Sequence, residues 1–106
     1  MATRSYSRLS RQRLAALQQS LAAQLGEAGY DVTVELEESA LRGRYRLFVV
    51  SDAFGRLLES ERQDIVWRAL KEVWPREDQL RITLSLVLTR SEAEGITATT
   101  ARSSRM

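Results

Sequence analysis

Two stretches decide the fold: Arg44-Tyr-Arg-Leu-Phe-Val-Val-Ser51 and Leu80-Arg-Ile-Thr-Leu-Ser-Leu-Val-Leu-Thr89. In the first, Tyr45, Leu47, Phe48, Val49 and Val50 put apolar groups on both faces of an extended chain, the pattern of a strand in the middle of a sheet. In the second, Leu80, Ile82, Leu84, Leu86 and Leu88 alternate with Arg81, Thr83, Ser85, Val87 and Thr89, which predicts a strand with one apolar face. Between them, Ser60 to Trp74 carries Ile65, Val66, Ala69, Leu70 and Val73 on one helical stripe, and Pro75 stops the helix. Ser60 is the expected cap, with Glu61 and Asp64 near the end where the helix dipole favours acids. A connection of this length suits a crossover between parallel strands.

Upstream, Leu14, Leu17, Leu21 and Leu25 share one face of a helix expected over Ser7 to Leu25, capped by Ser5 or Ser7 and ended by Gly26 or Gly29. Asp31 to Glu38 alternates Val32, Val34 and Leu36 with Thr33, Glu35 and Glu37, a strand with one buried and one acidic face. The predicted fold is an α+β domain of two layers. Its order is helix-strand-strand-helix-strand, with a three-stranded mixed sheet and the helices on one face. The other face, with Glu35, Glu37, Arg81, Thr83, Ser85 and Thr89, is expected to meet water or a partner. Residues 1–6 read as a flexible basic N-terminus, 7–90 as a single domain, and 91–106 as a disordered tail in which Ser91 to Glu94 allow a short turn.

A chain of 106 residues, 43% hydrophobic and 28% charged, has the composition of one ordinary globular domain. It has no cysteine and no histidine. Thiolate and imidazole ligands, Ser-His and Cys-His pairs and the commonest general base are therefore missing, which argues against a metal centre, a cofactor and an enzyme. No apolar run approaches the roughly 20 residues of a membrane span. No secretory signal is visible either, so a cytoplasmic location is expected. Of the sixteen basic residues only Lys71 is a lysine. Arginine suits phosphate recognition, but these arginines are interspersed with acids along most of the chain, as on an ordinary solvated surface.

The run from Tyr45 to Phe54 resembles the signature of the BolA-like family, in which an apolar strand runs into Val-Ser-Asp-x-Phe. Val50, Ser51, Asp52 and Phe54 match, Arg62 and Val66 fall at the family's spacing, and Thr83-Leu-Ser-Leu86 is similar to the last strand. The resemblance spans roughly Arg44 to Glu92. It implies a fold similar to class II KH domains and an adaptor or regulatory role with protein partners, whether glutaredoxin-like proteins or a second copy. A nucleic-acid-related role is also implied. Two positions depart from the pattern. Gly55 follows Phe54 directly, with Arg56 in the family's glycine position. The metal-ligating histidine expected at the start of the last strand is replaced by Arg81 or Ile82, so no iron–sulfur ligand from this chain is expected.

Several residues carry competing readings. Arg56, Arg62, Arg76 and Arg81 are the candidate nucleic-acid contacts, set against pairing of the arginines around the second helix with Glu59, Glu61, Asp64 and Glu72. Gly26-Glu-Ala-Gly29 spells the Gly-x-x-Gly of a KH loop, yet a pair of helix-ending glycines accounts for it better. Asp52, Phe54 and Gly55 read as a structural turn, with Asp52 capping it. Trp67 and Trp74 either complete the core or form an apolar patch for a partner.

Overall fold

The computed structural model describes residues 7–96, so the segments 1–6 and 97–106 of the sequence-based expectations lie outside the described residues. The elements are α1 (Arg11–Glu27), β1 (Thr33–Glu38), β2 (Tyr45–Val50), a 3₁₀ turn (Asp52–Arg56), α2 (Glu59–Val73), a single-turn α3 (Arg76–Gln79) and β3 (Ile82–Leu88). The sheet order is β1-β2-β3, antiparallel between β1 and β2 and parallel between β2 and β3. The expected α+β class, the mixed three-stranded sheet and the central place of the Tyr45–Val50 strand are all present.

Helix α1 forms because Leu17, Leu21 and Leu25 recur on one face and are all buried. Its start departs from expectation. Ser10, not Ser5 or Ser7, is the cap, its Oγ accepting from Arg13 N at 3.1 Å. The chain before it is held against the sheet instead: Leu9 N donates to the Tyr45 hydroxyl at 2.9 Å, and the Arg81 guanidinium donates to Ser7 O at 2.6 Å. Past its other end, Gly29 has φ +98°, a left-handed backbone that a Cβ would strain. Gly29→Ala is therefore expected to cost about 1 kcal/mol. Gly55→Ala should change stability by less than about 0.5 kcal/mol, since Gly55 has no positive φ and an added methyl would meet Thr89 Cγ2 at an ordinary 3.7 Å. Equal effects in parallel chemical denaturations would contradict this.

Helix α2 is capped from Leu58, not by Ser60. The Glu61 carboxylate reaches back and accepts from Leu58 N at 2.8 Å, while Ser60 stands exposed in the first turn. The helix ends at Trp74, as Pro75 dictates, and Asp78 N and Gln79 N donate back to Pro75 O to close α3. Helices α1 and α2 cover one sheet face. Tyr45, Leu47 and Val49 of β2, Leu36 of β1 and Val87 of β3 point into the core beneath them, with Phe54, Val66, Leu70 and Trp74.

The face of β3 is the main correction. Simple alternation puts Leu84, Leu86 and Leu88 in the core and Ser85 outside. A register shift intervenes: Tyr45 pairs with Ile82, but the next residue, Arg46, pairs with Leu84, so Thr83 is the extra residue of a bulge. Beyond a one-residue slip every side chain changes face. Ile82 packs on the core, whereas Ser85 and Val87 point inward with Leu47 and Val49, and Leu84, Leu86 and Leu88 point outward with Arg46, Phe48 and Val50. Ser85 is suited to its inward place, because its Oγ accepts the Trp67 indole N–H at 3.2 Å and donates to Gln63 Oε1 at 2.6 Å.

Residues 90–96 are helical, which corrects the expectation of disorder from position 91. Thr89 and Glu92 form a capping box: Glu92 N donates to Thr89 Oγ1 at 3.2 Å and Thr89 N to Glu92 Oε1 at 2.9 Å.

Candidate functional site

The sheet face away from α1 and α2 is the most distinctive surface of the described residues. Its centre is apolar: Phe48 and Val50 of β2 beside Leu84, Leu86 and Leu88 of β3. Glu35 and Glu37 of β1 stand along one side, with Arg46 ion-paired to Glu37. Ala93 and Ile96 of the 90–96 helix form the other side of a groove of about 550 Å³. None of the five central residues packs on the core cluster. Leu84 is 49% exposed and Ile96 40%. Single exposed leucines are ordinary, but a contiguous apolar face with a charged edge marks an interaction surface.

Arg62 places the wall of that groove. It projects from α2 into the interior, 8% exposed. Its Nε donates to Leu57 O at 3.3 Å, and one terminal nitrogen donates to Val87 O at 3.1 Å and Glu92 Oε1 at 2.8 Å. The other terminal nitrogen reaches Glu92 Oε2 at 3.4 Å. One guanidinium thus fastens the 90–96 helix to α2 and β3. Asp52 adds a second tie, its Oδ1 accepting from Arg90 N at 3.1 Å. The expected turn-capping role of Asp52 falls to Ser51, whose Oγ accepts from Ala53 N at 3.2 Å. Phe54 is fully buried in that turn and stacks on Tyr30 with ring centroids 5.6 Å apart.

The Arg62 guanidinium, bonded to the Glu92 carboxylate, holds its pKa below the ordinary value of 4.5, and the Thr89 N–H adds to the effect. A carboxylate with a lowered folded pKa contributes stability that is complete above its unfolded value. That stability is lost as pH falls through the folded one. Acidification below about pH 4.5 should therefore loosen the 90–96 helix before the rest of the domain unfolds. Amide exchange at Thr89 and Arg90, followed from pH 6 to pH 3, reads this directly. Glu92→Gln should flatten the dependence, and an unchanged profile in that variant would refute the assignment.

The other expected contacts scatter. The Arg81 side chain is 14% exposed, donates to Ser7 O and Gly43 O, and lies 3.7 Å from Asp78. With Arg62 it is engaged inside the fold, so neither presents a free guanidinium to a nucleic acid. Arg56 and Arg76 are exposed. They flank opposite ends of α2, whose 15 residues span about 22 Å, and so do not share one patch. Trp74 is 4% exposed and donates its indole N–H to Leu17 O at 2.9 Å; it is core, not a partner patch. Trp67 is half-buried on the same inner side, tied to Ser85.

At the start of β3, Arg81 is held by backbone carbonyls and Ile82 packs on the core. Neither residue fits the metal-ligating place that the BolA-like resemblance implies there. Sequence reasoning missed the three outward leucines as surface, because the bulge at Thr83 leaves no mark on the alternation, and so did not see that Phe48 and Val50 stand beside them. It also passed over Glu92, although Thr89-x-x-Glu92 spells a capping box. No protein-family profile, curated protein or solved structure matches the chain.

Proposed function

We propose that this chain is a small non-catalytic adaptor or regulatory domain of the BolA-like kind, working without an iron–sulfur ligand of its own. It acts by receiving a protein partner on the open face of its sheet. The observation that carries this reading is the outward turn of Leu84, Leu86 and Leu88 beside Phe48 and Val50. Leaving such a strip in water forgoes roughly 25 cal/mol per Å² of apolar surface, which a partner recovers on docking. The order of elements and the Val50-Ser51-Asp52-x-Phe54 run support the BolA-like part. A nucleic-acid role has less support, since Arg62 and Arg81 are engaged internally and Arg56 and Arg76 stand apart.

The test compares the immobilised full chain with its Leu84→Ser/Leu86→Ser variant for proteins retained from an extract of the source cells. The substitutions lie on an accessible face, so stability should change by no more than about 1 kcal/mol. A protein retained by the parent and reduced tenfold or more by the variant is the expected result. Equal retention by both, or retention only of nucleic acid in a salt-sensitive manner, would reject the reading.

A further inference from the structure

We infer that the groove on the open face takes one amphipathic α-helix of the partner, its apolar stripe on Phe48, Leu84 and Leu86 and a flanking cation toward Glu35. This rests on the protein-binding reading above and names the occupant's chemistry.

Space argues for one helix. The same three strands are covered on their other face by two long helices, α1 and α2. Among the described residues, Ala93 and Ile96 of the 90–96 helix are the ones that stand over the open face, leaving the groove beside them. A helix is about 10 Å across with its side chains, close to the width of the uncovered strands.

Area argues against a second copy packed face to face. Three strands about 4.8 Å apart, each about six residues long, make a face of roughly 300 Å². Stable protein pairs bury about 800 Å² on each partner. The 90–96 helix rises on this side as well, so two sheets cannot meet flat.

Residues 97–106 are poorly matched to it. Ile96 lines the groove, but the ten residues after it read Thr-Ala-Thr-Thr-Ala-Arg-Ser-Ser-Arg-Met106. Met106 is their one large apolar side chain, so no stripe at i, i+3, i+4 and i+7 is on offer.

Charge sets the polarity of the guest. Glu35 and Glu37 are both exposed on β1. Glu37 is paired with Arg46, and among the described residues Glu35 has no ion pair. A Lys or Arg flanking the apolar stripe meets Glu35 there, whereas an acidic helix meets repulsion. Such complementarity chiefly discriminates between partners.

The probe is a fluorescein-labelled 18-residue model helix with leucines at i, i+3, i+4 and i+7 and lysines flanking them. It is titrated into the full chain by anisotropy, beside a scrambled peptide and one with glutamate for lysine. The lysine helix should bind at least tenfold tighter than either control. Leu86→Ser should weaken it tenfold or more, Glu35→Lys should reverse the preference between lysine and glutamate helices, and Arg68→Glu on α2 should leave binding unchanged. Equal binding of all three peptides, or binding indifferent to Leu86→Ser, would overturn the inference. So would a dimer that Leu86→Ser dissolves, or binding that appears only after residues 97–106 are deleted. If the extract yields a partner dependent on Leu84 and Leu86 while no lysine helix binds, the inference falls and the protein-binding reading stands. If both are blank, both fall.

Discussion

Trp74→Ala is expected to lower stability by about 4 kcal/mol, the usual range for a buried Trp or Phe cut to alanine. The indole lies at the end of α2 with 4% of its surface exposed, and its N–H reaches across to Leu17 O in α1. Removing it leaves a large void between the two helices and breaks the indole hydrogen bond to Leu17 O of α1. A domain of this size has about 5–15 kcal/mol in total, so the variant should melt well below the parent and be partly unfolded at 37 °C. The distinction from a docking role is sharp. A partner-binding tryptophan on the surface would lose affinity and keep its melting temperature, whereas Trp74→Ala should lose its melting temperature first. Differential scanning calorimetry decides, and an unchanged transition would place Trp74 outside the core.

The second large effect is at Arg62. Replacing it with methionine keeps the length and the apolar stem but removes every donor. Leu57 O loses a guanidinium donor, and Val87 O and the Glu92 carboxylate lose theirs as well. An orphaned buried acceptor costs about 1–3 kcal/mol, so a loss near 3 kcal/mol is expected for the carbonyls alone. The local consequence is more telling than the global one. Without its fastening, the 90–96 helix should exchange its amides at the rate of a frayed end, while amides of β2 remain protected. Arg62→Lys should rescue little, because one ammonium cannot reproduce the two-pronged grip on Glu92. Were Arg62 a surface phosphate contact instead, both substitutions would leave stability unchanged.

These two residues also show where sequence reasoning stopped. The strand at Tyr45–Val50, the α2 stripe and the parallel crossover were legible because each rests on a local period, and β2 announced its central place by being apolar on both faces. What depended on distant partners was not legible. Arg62 reads as one more surface arginine until Val87 and Glu92, 25 and 30 residues away, come within reach. Trp74 was open between core and patch because only the packing of α1 over α2 closes the space around it. The face of β3 was misread for a different reason. Its alternation is real, but the bulge at Thr83 makes Ile82 and Leu84 point to opposite sides, and pairing with β2 decides which side is inner. Leu84, Leu86 and Leu88 thereby move from core to surface beside Phe48 and Val50, and the expectation of a polar outer face gives way to an apolar one.

The outward turn of the β3 leucines is open to one direct measurement. Methyl-labelled protein is titrated with a soluble gadolinium chelate, and the paramagnetic relaxation of each leucine and valine methyl is recorded. The Leu84 methyls, and to a lesser degree those of Leu86, should relax strongly, while Leu47, Val49 and Val87 stay unaffected. Protected Leu84 and Leu86 methyls would return them to the core and remove the open apolar face, and with it the proposed function.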